Sequence, residues 1–246
     1  MTSQSDQVQP DPTIAPIEEP AIEPQEAPIL RRAVAEFLGS GLLVTVVIGS
    51  GIMAQRLSPD DIGLQLLENS TATVFGLAAL ILIFGPVSGA HFNPVVTLAD
   101  CVLQRRPYRD AAVYLPVQII GGIGGAMLAN VMFDLPWVTE SHKDRSQAHL
   151  WIGELVATLG LIVLIFALVR TERTALAGPA VGAYIGAAYW FTSSTSFANP
   201  AVTIGRAFSN TFAGIEPASV SGFIIAQLVG GAVGVALIMY FYPARR

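Results

Sequence analysis

From Thr174 to Gly205 the chain runs 32 residues without an ionised side chain. A membrane-spanning helix needs about 20 apolar residues, so this stretch is longer than one span. It is not a single long helix either, because Asn199-Pro200 interrupts it and Asn-Pro marks a turn or a helix start. Irregular backbone at membrane depth is tolerated only where protein or a water-filled cavity covers it. The stretch therefore predicts a full helix, a loop and a half-helix re-entering the membrane. The same pattern occurs 106 residues earlier, where Ser88-Gly-Ala-His-Phe-Asn-Pro-Val-Val-Thr97 parallels Thr195-Ser-Phe-Ala-Asn-Pro-Ala-Val-Thr203. Two such interruptions in matching positions point to a pore.

Other apolar runs complete the pattern. Ala33–Ala54 carries only Glu36, whereas Thr71–Ala90, Ala111–Phe133, Leu155–Val169 and Pro217–Ala244 carry no charge. With 52% hydrophobic and 13% charged residues and a mean hydropathy of +0.57, the chain is too apolar for a soluble domain. Six spans are predicted, in an all-α membrane protein with two re-entrant half-helices.

Residues 1–30 stand apart, with six acids, six prolines and no Lys or Arg. They read as a disordered acidic, Pro-rich arm rather than a signal peptide. In the six-span frame nine basic residues (Arg31, Arg32, Arg105, Arg106, Arg109, Arg170, Arg173, Arg245, Arg246) fall on one side. Only Arg56, Lys143, Arg145 and Arg206 fall on the other. Basic residues favour the cytoplasmic side, so both termini are expected there. The single cysteine, Cys101, excludes an intrachain disulfide and any multi-thiol metal site.

Further signatures recur in order. Glu36 opens the first span and Glu154 the fourth. Gln118-Ile-Ile-Gly-Gly122 in span 3 is matched by Gln227-Leu-Val-Gly-Gly231 in span 6. Three spans per copy is an odd number, so the second copy crosses the membrane in the opposite sense, an inverted repeat. The expected organisation is a first repeat over 31–133, a connecting loop over 134–149 and a second repeat over 150–246. Gly121 and Gly125, with Gly230 and Gly234, suit close helix contact.

Pro94 and Pro200 are placed for the first turn of a helix, with Asn93 and Asn199 as caps. In an inverted repeat the two helix starts meet near the midplane, and both positive dipole ends face the pore. Asn amides there can donate to a solute's oxygen while the dipoles repel cations. Glu36 and Glu154 are expected to be the only acids inside spans. They are either proton-coupling carboxylates or acceptors holding the re-entrant backbone, and one per repeat favours the structural role.

The Asn93-Pro94-Val95 and Asn199-Pro200-Ala201 boxes, the Ser-Gly-Ala-His-Phe lead-in and the two glutamates resemble the aquaporin (major intrinsic protein) family over about residues 31–246. The resemblance implies one pore per subunit, a homotetramer in the cell membrane, and passive passage of water and small neutral solutes without a cofactor. One departure bears on selectivity. Family members usually carry Arg directly after the second box, and here that position is Val202. By the family's spacing the other filter positions fall at Thr73, Ala187 and Ser196, with Phe75 and Gly186 as alternatives in register. Such a filter is similar to that of bacterial members associated with arsenite, and As(OH)3 and glycerol are both compact triols.

Arg206 lies one helical turn beyond Val202. It reads either as a displaced filter arginine or as a vestibule-rim arginine, with Asp100 holding the matching place in the first repeat. His91 is expected to pack below the first box, a pH gate there being the weaker option. A strict water pore is one rival reading. An ion-coupled secondary transporter using Glu36 or Glu154 is another. The three histidines, His91, His142 and His149, show no metal-ligand spacing, and no basic nucleic-acid surface is apparent. An enzyme is not indicated.

Overall fold

The computed structural model of the protein describes residues 27–103 and 106–243. The acidic segment up to residue 26, together with Arg105, Arg245 and Arg246, lies outside the described residues. Among the described residues the secondary structure is helical throughout. It comprises α1 (Ile29–Leu57), α2 (Ile62–Ser88), α3 (Pro94–Leu103), α4 (Tyr108–Met132), α5 (Ala148–Arg170), a 3-10 turn (Thr174–Leu176), α6 (Ala177–Phe191), α7 (Pro200–Arg206) and α8 (Pro217–Phe241). Helices α1, α2, α4, α5 and α8 are long and apolar enough to cross a membrane. The remaining predicted span is α6, shorter at 15 residues and continuous with the 3-10 turn before it. The expected half-helices are α3 and α7.

Helix α2 begins earlier than the charge-free run suggested. Asp61 caps it by accepting a hydrogen bond from Leu64 N at 2.9 Å. Glu68 therefore lies within the helix, which corrects the expectation that Glu36 and Glu154 are the only acids in spans. Its carboxylate is accommodated because Ser58 Oγ donates to Oε1 at 3.0 Å.

Helix α1 packs along α4, and α5 packs along α8. In lipid, helices gain little from burying apolar surface against one another, so close backbone approach governs association. At the first crossing a Cβ on Gly125 would overlap Gly41 O, and at the second a Cβ on Gly230 would overlap Leu155 O. The backbones thus pass at distances only glycine permits. Thr45 Oγ1 adds a cross-helix hydrogen bond to Gly125 O at 3.0 Å. The two repeats use one packing solution twice, with the half-helices held between them.

Candidate functional site

The two boxes face each other across the repeat interface. Asn93 Oδ1 accepts from Val95 N at 2.9 Å, and Asn199 Oδ1 accepts from Ala201 N at 2.9 Å and Val202 N at 3.2 Å. Each asparagine thereby caps its own half-helix. The amide nitrogens cross over. Asn93 Nδ2 donates to Ala198 O at 2.7 Å, and Asn199 Nδ2 donates to Phe92 O at 2.8 Å. Each amide keeps a second N–H, and both asparagines line the central cavity. Pro94, Val95, Pro200 and Ala201 form the first turns behind them and are buried.

The lead-in loops are strained in matching places. Gly89, Ala90 and Phe92 have φ of 91°, 51° and 49°; Thr195, Ser196 and Ala198 have 63°, 50° and 48°. Left-handed backbone costs about 1–2 kcal/mol at a non-glycine residue, so something must hold these conformations. Two carboxylates do. Glu36 accepts from Ser88 Oγ (2.6 Å), His91 N (3.0 Å), Phe92 N (2.7 Å) and Gln118 Nε2 (2.8 Å). Glu154 accepts from Phe197 N (2.8 Å), Ala198 N (2.8 Å) and Gln227 Nε2 (2.6 Å). The recurring glutamines extend the bracket, Gln118 donating to Thr97 Oγ1 at 3.0 Å and Gln227 to Thr203 Oγ1 at 2.8 Å. Both glutamates are fully buried and neither borders the cavity.

A cavity of about 610 Å³ runs past the boxes. Its lining is mainly aliphatic, including Leu43, Val47, Leu77, Val181 and Ile185. Polar groups cluster at its two ends. His91, Asp100 and Arg106 lie at one, and Thr73, Tyr189, Ser196 and Arg206 at the other. At the first end Asp100 Oδ2 meets Arg106 Nε at 2.5 Å and His91 Nε2 at 3.6 Å. His91 Nδ1 lies 3.0 Å from Thr97 Oγ1. The imidazole borders the cavity and packs edge-on against Tyr114, with ring centroids 5.6 Å apart.

Thr73, Ser196 and Val202 all border the cavity at the second end. Ala187 does not; its side is exposed on the outer surface of α6. Neither register alternative borders the cavity: Phe75, the alternative to Thr73, is 70% exposed, and a Cβ on Gly186, the alternative to Ala187, would overlap Val74 Cγ2, so Gly186 faces α2. Tyr189, two residues on, borders the cavity instead, and its hydroxyl lies 3.1 Å from Thr73 Oγ1. Two residues rotate a helix by about 200°, which turns an expected pore residue outward. Hydroxyls of Thr73, Tyr189 and Ser196 and the isopropyl of Val202 therefore share this end. Ser196 Oγ is buried without a hydrogen-bond partner among the described residues.

Arg206 also borders the cavity and is 2% exposed. Its guanidinium stacks 3.3 Å from the centroid of Phe197, and Nε donates to Ala213 O.

The comparisons with known proteins agree with this geometry. The chain matches the family Major intrinsic protein over residues 23–196. Aquaglyceroporin AqpS of Rhizobium meliloti (strain 1021) is 50% identical over 222 residues, covering 90% of this chain and 94% of that protein. Aquaporin NIP1-1 of Oryza sativa subsp. japonica is 29% identical over 218 residues, 84% of this chain and 72% of its own. The X-ray structure of the aquaglyceroporin from Plasmodium falciparum superposes with a TM-score of 0.64 at 19% identity. It covers 86% of this chain and 96% of that one, a likeness of fold. The chain belongs to the major intrinsic protein family, and it is a multi-pass membrane channel for water and small neutral solutes rather than an enzyme.

Proposed function

We propose that the channel passes compact neutral polyols and metalloid acids, glycerol and As(OH)3 among them, as well as water. The observation that carries this reading is Val202, an isopropyl on the cavity wall at the position that follows the second box. Opposite it stand hydroxyls rather than a guanidinium: Thr73, Tyr189 and the unpartnered Ser196 Oγ. A solute with hydroxyls on one side and little bulk on the other suits such a ring, because its lost hydration is replaced by hydroxyl contacts. Tyr189 makes the passage narrower than an alanine would, which favours small triols over longer polyols. The 50% identical relative named an aquaglyceroporin agrees with this choice.

Stopped-flow light scattering on proteoliposomes tests it, comparing water, glycerol and arsenite in wild type and Val202→Arg. Wild type is expected to conduct all three, and the arginine to cut glycerol and arsenite flux at least about tenfold, equivalent to about 1.4 kcal/mol, while water persists. Water flux alone, indifferent to the substitution, would support a strict water pore instead. The coupled-transporter alternative needs a carboxylate that can exchange a proton or ion. Glu36 and Glu154 are each committed to three or more donors away from the cavity.

Arg206 serves in this reading as the displaced filter arginine, rejecting cations from one turn outside Val202. The assembly is a homotetramer in the cell membrane with cytoplasmic termini. The grouping of Arg56, Lys143, Arg145 and Arg206 at the end opposite Arg32, Arg106 and Arg170 supports that orientation, and native mass spectrometry from lipid nanodiscs reads the subunit number.

A further inference from the structure

The loop joining the repeats brings a second guanidinium to the same ring as Arg206. Arg145 Cζ lies 4.9 Å from the Phe197 centroid, and Arg206 Cζ lies 3.3 Å from it. Both side chains are buried, at 6% and 2% exposure. They are fixed on successive carbonyls, since Arg206 Nε donates to Ala213 O and Arg145 Nε donates to Gly214 O at 3.0 Å. Arg145 Nη1 also donates to Ser194 O at 3.2 Å, in the loop that presents Ser196 to the cavity. Among the described residues neither arginine has a carboxylate within ion-pair distance. The carboxylate whose field reaches both is Glu154, and it is committed to Phe197 N, Ala198 N and Gln227. Two buried guanidiniums against one carboxylate leave an uncompensated positive charge beside the outer end of the pore.

Burying like charges side by side is costly, and ionisable groups kept inside a membrane protein at such cost mark function. We propose that Arg145 is a positioning and specificity-determining residue: with Arg206 it forms a two-arginine cation barrier around Phe197 that replaces the arginine absent at Val202. The assignment rests on the neutral-solute reading of the channel. Arg206 borders the cavity and acts directly. Arg145 acts from behind Phe197, through its field and by holding Ser194. A guanidinium is always charged and π-stacks on the ring, so the barrier stays fixed while neutral triols pass.

The test uses the full chain in proteoliposomes and reads the ratio of potassium leak to glycerol flux on the same vesicles. Removing one charge several ångströms from a low-dielectric passage changes cation entry on the order of tenfold. Arg145→Gln should raise the ratio by about that factor. Arg145→Lys, which keeps the charge but loses the fork, should stay near wild type. In the double variant Arg145→Gln/Val202→Arg the potassium leak itself, read apart from the reduced glycerol flux, should return toward wild type, because a guanidinium in the filter restores the barrier. An unchanged ratio in Arg145→Gln, or equal behaviour of the Gln and Lys variants, would reduce Arg145 to a loop staple and overturn the proposal. Absence of glycerol flux in wild type would instead overturn the neutral-solute reading on which it stands.

Discussion

Replacing Glu154 with glutamine changes one oxygen for an amide nitrogen at a site where every neighbour is a donor. Oε2 serves Ala198 N and Gln227 Nε2, whereas Oε1 serves Phe197 N alone. The amide will keep its oxygen on the side with two donors and turn its NH2 toward Phe197 N. One charge-assisted hydrogen bond is then lost, worth about 1.5–3 kcal/mol, and a buried N–H is orphaned at about 1–3 kcal/mol. These terms overlap, so Glu154→Gln should destabilise the protein by about 2–4 kcal/mol. For a chain of this size that lowers Tm by about 5–15 °C. The single thiol of Cys101, 4% exposed in α3, supplies the assay. A thiol-reactive dye added to detergent-solubilised protein reports the temperature at which the core opens. Glycerol flux should fall with the loss of the loop conformation, without any new dependence on proton or sodium gradients. A Tm within about 1 °C of wild type, together with altered ion dependence of uptake, would refute the structural role and favour a coupling carboxylate.

Other outcomes follow from local geometry. A methyl at Gly125 would strike Gly41 O, whereas nothing lies within 4 Å of one at Gly124. Gly125→Ala should therefore cost about 1–3 kcal/mol by overpacking and Gly124→Ala less than about 0.5 kcal/mol, read as a Tm contrast between adjacent residues. Lys143 Nζ, donating to Phe212 O at 2.9 Å, has its pKa lowered to about 8 by burial and then by the fields of Arg145 and Arg206. The folded protein releases this proton above pH 8, while the unfolded chain holds it to about 10.5, so stability should rise with pH through that window. Raising the pH on the Lys143 side from 7 to 9 should also increase potassium leak as that rim loses a charge, and Lys143→Arg should abolish that change.

The parts of the site that were legible in the sequence are those fixed by chemistry that recurs. Asn93 and Asn199, Glu36 and Glu154, and Gln118 and Gln227 each appear twice because each repeat needs a cap, an acceptor and a brace. Tyr189 was not legible. Its helix lies in the long uncharged stretch, where no contrast between polar and apolar faces marks which side meets the cavity. Arg145 was hidden for another reason. It sits in a connecting loop, and its neighbours Phe197, Ser194 and Gly214 are 49 residues or more away in the chain.

The crossed asparagine amides have a bearing on biosynthesis. The Asn93 amide finds its acceptor at Ala198, and Phe92 O finds its donor at Asn199. A nascent chain that has inserted α1 to α4 still lacks both partners, so the first re-entrant loop, although bracketed by Glu36, is without its contacts across the repeat interface. The conduit is completed only when the second box arrives, late in synthesis. A half-made subunit thus has no continuous path through it, and the bilayer stays sealed until the chain can discriminate among solutes.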